Sequence, residues 1–183
     1  MDQQIKNHIE NLKSNDDKIR MDALQNVLKI TEQPVDWIYE VWDDMFLLLT
    51  DKNSFKRSIA FMVICNLAKS DVENRLPRFL EQLLSHTKDE KFITSRQCLL
   101  NVWKIALVNQ QLYDLIISHL IKRYRECNTE DHYNLLRQDS IQSLVNIYNT
   151  NKDERLNKII RELIVQEHED KYKKKYAALL EYK

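Results

Sequence analysis

Few residues in this chain stand at spacings that chemistry requires. His119, Cys127 and His132 share one stretch, but their separations of eight and five residues match no usual zinc pattern. His8, His86 and His168 stand apart from other metal-ligating types. No serine or cysteine accompanies a histidine and a carboxylate at a spacing that marks an activated nucleophile. Glycine is absent, so the sequence holds neither a phosphate-cradling loop nor a dinucleotide-binding turn. No cofactor or metal is therefore expected. The basic residues Arg20, Arg57, Arg96, Arg137 and Lys175 recur along the chain and could grip phosphate. Acids a few residues earlier, such as Asp16 and Asp17 before Arg20, offer them local partners instead. They read as joints between helices.

Composition narrows the field. The 183 residues suit one domain, 1–183, and bury roughly 70% of the unfolded surface. Lys plus Arg equals Asp plus Glu, 28 each, so no net field draws nucleic acid or membrane. Asp36, Glu40, Asp43, Asp44 and Asp51 form an acidic stretch without a base, and Lys173, Lys174 and Lys175 a basic cluster near the end. Both read as solvated faces. No apolar run is long enough to span a bilayer, and the N-terminus is unlike a signal peptide. Three scattered cysteines suggest a reducing, cytoplasmic setting.

The elements that hold these residues are helical in pattern. Ile5, Ile9 and Leu12 share a face of a first helix, and Ala23, Leu24 and Val27 a face of a second. Pro34 is expected in the first turn of a third, with Trp42, Met45, Phe46 and Leu49 inward. Trp37 falls on that helix's other face and is read as packed. From Ile59 to Cys65 every residue is apolar, which predicts a helix covered on several sides. Ser70-Asp71 caps the next, and a single helix is expected over about 92–108. Only Pro34 and Pro77 interrupt the chain, which argues against a hairpin-rich β fold.

The five basic anchors are separated by 37, 39, 41 and 38 residues. Seven residues past each stand Val27, Ile64, Trp103, Leu144 and Tyr182. A period near 40 with two helices per unit marks a helical solenoid, in which each pair buries its apolar face only by stacking. The junctions Asp16-Asp17-Lys18-Ile19-Arg20, Asp51 to Arg57 and Lys88-Asp89-Glu90-Lys91 make the chain resemble the HEAT-repeat, armadillo-like family. The resemblance implies an all-α fold, a right-handed superhelix of about five helical hairpins over 2–33, 34–70, 71–110, 111–152 and 153–183. The fourth junction is long and the fifth is a lysine run, both departures from the pattern.

In HEAT-like superhelices the second helix of each pair lines the concave face. That places Gln25, Lys29, Met62, Asn66, Lys69, Asn101, Lys104, Gln142 and Asn146 in an inner groove rich in amides and weakly basic. The function so implied is a non-enzymatic scaffold that holds a protein or peptide partner, an acidic segment suiting the lysines. The alternative is a nucleic-acid-binding protein resembling the HEAT-fold DNA alkylation repair glycosylases, with Lys122, Arg123, Arg125 and Lys173 to Lys175 on phosphates. Those enzymes carry a Trp with a catalytic Asp one turn on; here Val41, Phe46 and Leu107 follow Trp37, Trp42 and Trp103 at that spacing. Self-association through the end repeats is a third expectation.

Overall fold

The polar turns that punctuate the sequence cap helices. Asp2 accepts a hydrogen bond from the Ile5 amide, Asp16 from Lys18 and Ile19, Asn53 from Phe55, Asn109 from Leu112 and Asp153 from Arg155. Each supplies an acceptor to N–H groups that have none within their own helix. The computed structural model describes residues 1–181, and among them no strand occurs. The helices are α1 (Gln3–Asn11), α2 (Asp17–Ile30), α3 (Ile38–Leu48), α4 (Ser54–Leu67), α5 (Leu80–Ser85) and α6 (Phe92–Asn101). They continue as α7 (Trp103–Ala106), α8 (Gln110–Glu126), α9 (Tyr133–Asn151), α10 (Glu154–Val165) and α11 (Asp170–Glu181). The fold is all-α, and no described helix is long and apolar enough to cross a membrane. The chain forms two compact units, Met1–Cys98 and Leu99–Lys183, where the sequence alone suggested one domain.

In the first unit α1 packs on α2, α3 on α4, and α2 on α4. The apolar run becomes the covered helix: Ile59, Ala60, Phe61, Val63, Ile64 and Cys65 of α4 are all buried. Tyr39, Trp42, Phe46 and Phe79 form an aromatic cluster with ring centroids 4.5 to 6.1 Å apart. Trp37 is buried too. Pro34 differs from expectation, lying in the connection four residues before α3. The Val35 N–H donates to the Ser70 hydroxyl at 3.0 Å, which holds that stretch away from the helix.

In the second unit α9 is the shared element, packed against α7, α8, α10 and α11. Tyr113 of α8 donates to Asp153 Oδ2 at 2.8 Å. Burial, then the neighbouring carboxylate, pushes the Tyr113 phenol up to about 12. Tyr124 donates to the Leu163 carbonyl at 2.9 Å and is also pushed up to about 12, by burial. The helix expected over 92–108 is interrupted at Val102, giving α6 and α7. The fifth apolar position of the recurrence, Tyr182, lies outside the described residues. With no glycine available, Asn74, His132 and Lys152 take the left-handed backbone positions, at φ of 52°, 55° and 54°.

Candidate protein-interaction groove

The recurring arginines are built into the joints. Arg20 Nη1 donates to the carbonyl of Ser14 at 2.8 Å, and Arg57 Nη1 to that of Asp51 at 2.9 Å, each six residues back. Each guanidinium thus closes the turn before its helix. Arg20 is also paired with Asp17, the local partner the spacing predicted. Arg57 reaches further, to Asp89 in the turn before α6. Asp89 in turn accepts from the Lys91 amide at 2.9 Å. Arg137 repeats the device in the second unit: Nη1 donates to Glu167 at 2.9 Å, and Glu167 accepts from the amides of His168 and Glu169. These arginines are committed to structure. Arg96 lies 5.7 Å from the Phe92 ring centroid.

The amide-rich stripe is largely consumed by the protein itself. Asn66 is buried, and its amide donates to the Leu28 carbonyl at 3.0 Å and Thr31 Oγ1 at 2.9 Å. Lys69 donates to the carbonyls of Thr31 and Glu32 at 3.2 and 2.8 Å, capping the C-terminal end of α2 where a cation is favoured. Asn66 thereby ties α4 to α2, and Lys69, exposed just past the end of α4, closes over the carbonyls that follow α2. In the second unit Lys104 donates to Asn101 Oδ1 at 2.9 Å. The amides of Gln142 and Asn146 lie 2.9 Å apart. With its oxygen turned toward the indole, Asn146 accepts from Trp103 Nε1 at 3.2 Å. Gln25 and Lys29 are exposed on α2. Met62 alone of the nine enters the hollow described next.

That hollow, about 340 Å³, is bounded by α2, α4 and α6 of the first unit. Met21 and Leu24, then Phe55, Ile59 and Met62, then Ile93 supply its apolar wall. Met21, Phe55 and Ile93 are 50%, 56% and 57% exposed, an unusual concession by three large apolar side chains standing together. The charged groups in the lining, Asp17 and Arg20, are paired with each other, and Arg20 also lies 5.9 Å from the Phe55 ring centroid. The groove therefore offers apolar surface and shape with little net charge. Leu24, Ile59, Met62 and Ile93 are legible as helical positions, whereas Met21 and Phe55, one residue past the anchor on α2 and two before it on α4, draw no reading of their own, and nothing local shows that the three helices share one hollow.

Of the six basic residues set aside for phosphate, Lys122, Arg123 and Lys175 have partners within the protein. Arg123 is 1% exposed and donates to both carboxylate oxygens of Glu130, at 2.6 and 2.7 Å, which corrects its reading as a surface cation. Lys122 faces Glu126 at 3.8 Å, and Lys171 and Lys175 lie over the Tyr172 ring. Cys127 is buried, its thiol pushed up by that burial and directed at the Tyr124 carbonyl. Among the described residues no three His, Cys, Asp or Glu side chains gather in a way that could hold a metal ion.

Neither known protein families nor curated proteins give a match to this chain. Among solved structures, the crystal structure of an engineered protein is similar, with a TM-score of 0.59 at 16% identity. The match covers 98% of this chain and 78% of that one. At that identity the likeness concerns the all-helical fold alone.

Proposed function

We propose that the protein is a HEAT-like repeat module that binds a protein partner and performs no chemistry of its own. In this reading about five hairpins build a right-handed superhelix, in a reducing compartment such as the cytoplasm. The period near 40 residues supports it, as does the matching of Arg57–Asp89 in one unit by Arg137–Glu167 in the other. The carrying observation is the groove: Met21, Phe55 and Ile93 exposed side by side, with the neighbouring charges cancelled. The favoured occupant is an amphipathic helix that lays two or three apolar side chains into the hollow. Covering the exposed halves of the three residues contributes on the order of 3 kcal/mol. A patch of this size falls short of the ~800 Å² per partner that a stable dimer needs, so a second copy of the chain is the poorer fit. Acidic peptide recognition loses ground because Asn66 and Lys69 are occupied by α2.

The test is a triple variant, Met21→Ser, Phe55→Ser and Ile93→Ser, compared with wild type for capture of partners from native lysate. A captured protein lost by the variant is then cut into overlapping peptides, and a helix-forming segment with an apolar face is expected to bind. Thermal stability should not fall, because the three side chains are half exposed already. Retention of every partner by the variant would defeat the groove. Binding of duplex or single-stranded nucleic acid at about 100 mM salt, steeply weakened by more salt, would instead favour the nucleic-acid reading.

A further inference from the structure

On the first unit, away from the groove, the segment 71–79 forms a hollow of about 390 Å³ lined by Trp42, Glu73, Arg75, Arg78 and Phe79. The segment is tightly made. Asp71 accepts from the amides of Arg75 and Leu76 at 3.0 and 2.7 Å, and Asn74 takes the left-handed turn. Tyr39 of α3 donates to Asp71 at 2.9 Å and accepts from the Glu73 amide at 2.6 Å. Arg75 lies over the Tyr39 ring, its Cζ 4.2 Å from the centroid, with Nε and Nη2 on Glu73 at 2.8 and 2.6 Å. A guanidinium stacked and tethered in this way has already lost its freedom, and three of its five N–H groups remain to be used.

Two further side chains lining this hollow have no polar partner among the described residues. The Arg78 side chain is exposed and makes no ion pair or hydrogen bond among the described residues. Trp42 is only 4% exposed, and its Nε1–H finds no acceptor. Buried indole N–H groups ordinarily find one, and leaving it unmade is costly. The single carboxylate in the lining, Glu73, is taken by Arg75. The hollow is thus rich in donors, poor in acceptors and walled on one side by the rings of Trp42 and Phe79.

We infer that this hollow binds a carboxylate carried on an aromatic body. A planar carboxylate matches the fork of Arg78 and the free N–H groups of Arg75, while the aromatic body covers Phe79 and the edge of Trp42. Charge selects against a doubly charged ligand. Among the lining side chains Glu73 offsets Arg75, which leaves the positive charge of Arg78 for a single anion. The inference is independent of the apolar groove and stands or falls separately.

The test follows the indole N–H signals of the protein's three tryptophans by NMR while N-acetylphenylalanine is added. A saturable shift of the Trp42 signal is expected, with a Kd in the millimolar range that suits so small a ligand. Arg78→Gln should weaken binding by about tenfold or more while leaving the other indole signals in place. N-acetylphenylalanine amide, which lacks the carboxylate, should not shift Trp42. No saturable Trp42 shift, an equal response to the amide, or unchanged affinity in Arg78→Gln would each overturn the site. Inorganic phosphate binding as tightly would overturn the assignment to a carboxylate.

Discussion

Arg57 holds Asp89 with two parallel hydrogen bonds, Nε to Oδ2 at 2.7 Å and Nη2 to Oδ1 at 2.8 Å, across 32 residues of sequence. Both side chains are nearly covered, and Arg57 also caps the carbonyls of Asp51 and Lys52. One guanidinium therefore ties the turn before its own helix to the turn before α6. Removing it strands a buried carboxylate, so Arg57→Leu should cost about 3 kcal/mol in a denaturant titration. A loss within experimental error would show that the joint is dispensable.

The same pair sets an acid dependence. Burial pushes the Asp89 carboxyl up, but the hydrogen bonds from Arg57 and the Lys91 amide, with the field of Arg57, outweigh it and leave it below the ordinary range. A carboxylate depressed in the folded state stabilises the protein above its unfolded value of about 3.9 and loses that contribution as pH falls through the folded value. Asp89→Asn should be less stable than wild type at neutral pH and should show a flatter fall in melting temperature below pH ~4. Parallel acid limbs in the two proteins would contradict the pairing.

Asn66 and Lys29 should behave oppositely under alanine substitution. Asn66 fills two acceptors at the end of α2, so Asn66→Ala should cost about 1–3 kcal/mol by leaving buried polar groups unpaired. Lys29 is exposed on α2, and Lys29→Ala should stay within about 0.5 kcal/mol of wild type. Equal effects in melting experiments would mean that Asn66 faces solvent after all.

Lys152 ends α9 in the left-handed region, its N–H on the Tyr148 carbonyl at 2.7 Å. A side chain with a Cβ is strained there, and glycine is the residue that ordinarily ends helices this way. Lys152→Gly should therefore raise stability by about 1 kcal/mol, offset in part by loss of the Lys152–Tyr148 contact. A destabilised variant would place the end of α9 elsewhere.

Cys65, Cys98 and Cys127 are all buried and outside any disulfide, and burial pushes the thiols of Cys98 and Cys127 up, away from the reactive thiolate. A thiol reagent should label none of them in the folded protein and all three in denaturant. Rapid labelling of the native protein at any one would show that its cover opens readily.

The sequence by itself determined what is local. The cap at Asp16, apolar faces in the helical period and the closed run in α4 are all decided within a few residues, and each appears where the pattern put it. The pairing of Arg20 with Asp17, three residues apart, was legible for the same reason. Tertiary structure decided which polar atoms remain for a partner. Asn66 looks like a surface group until the Leu28 carbonyl of α2, 38 residues away in sequence, comes beside it, and Lys69 gains the Glu32 carbonyl in the same way. Met21, Phe55 and Ile93 are scattered over three helices, and only the packing of those helices sets them around one hollow. A helix's pattern fixes which face is apolar, whereas the neighbour that satisfies each amide or guanidinium lies on another element, and only the packed chain selects it.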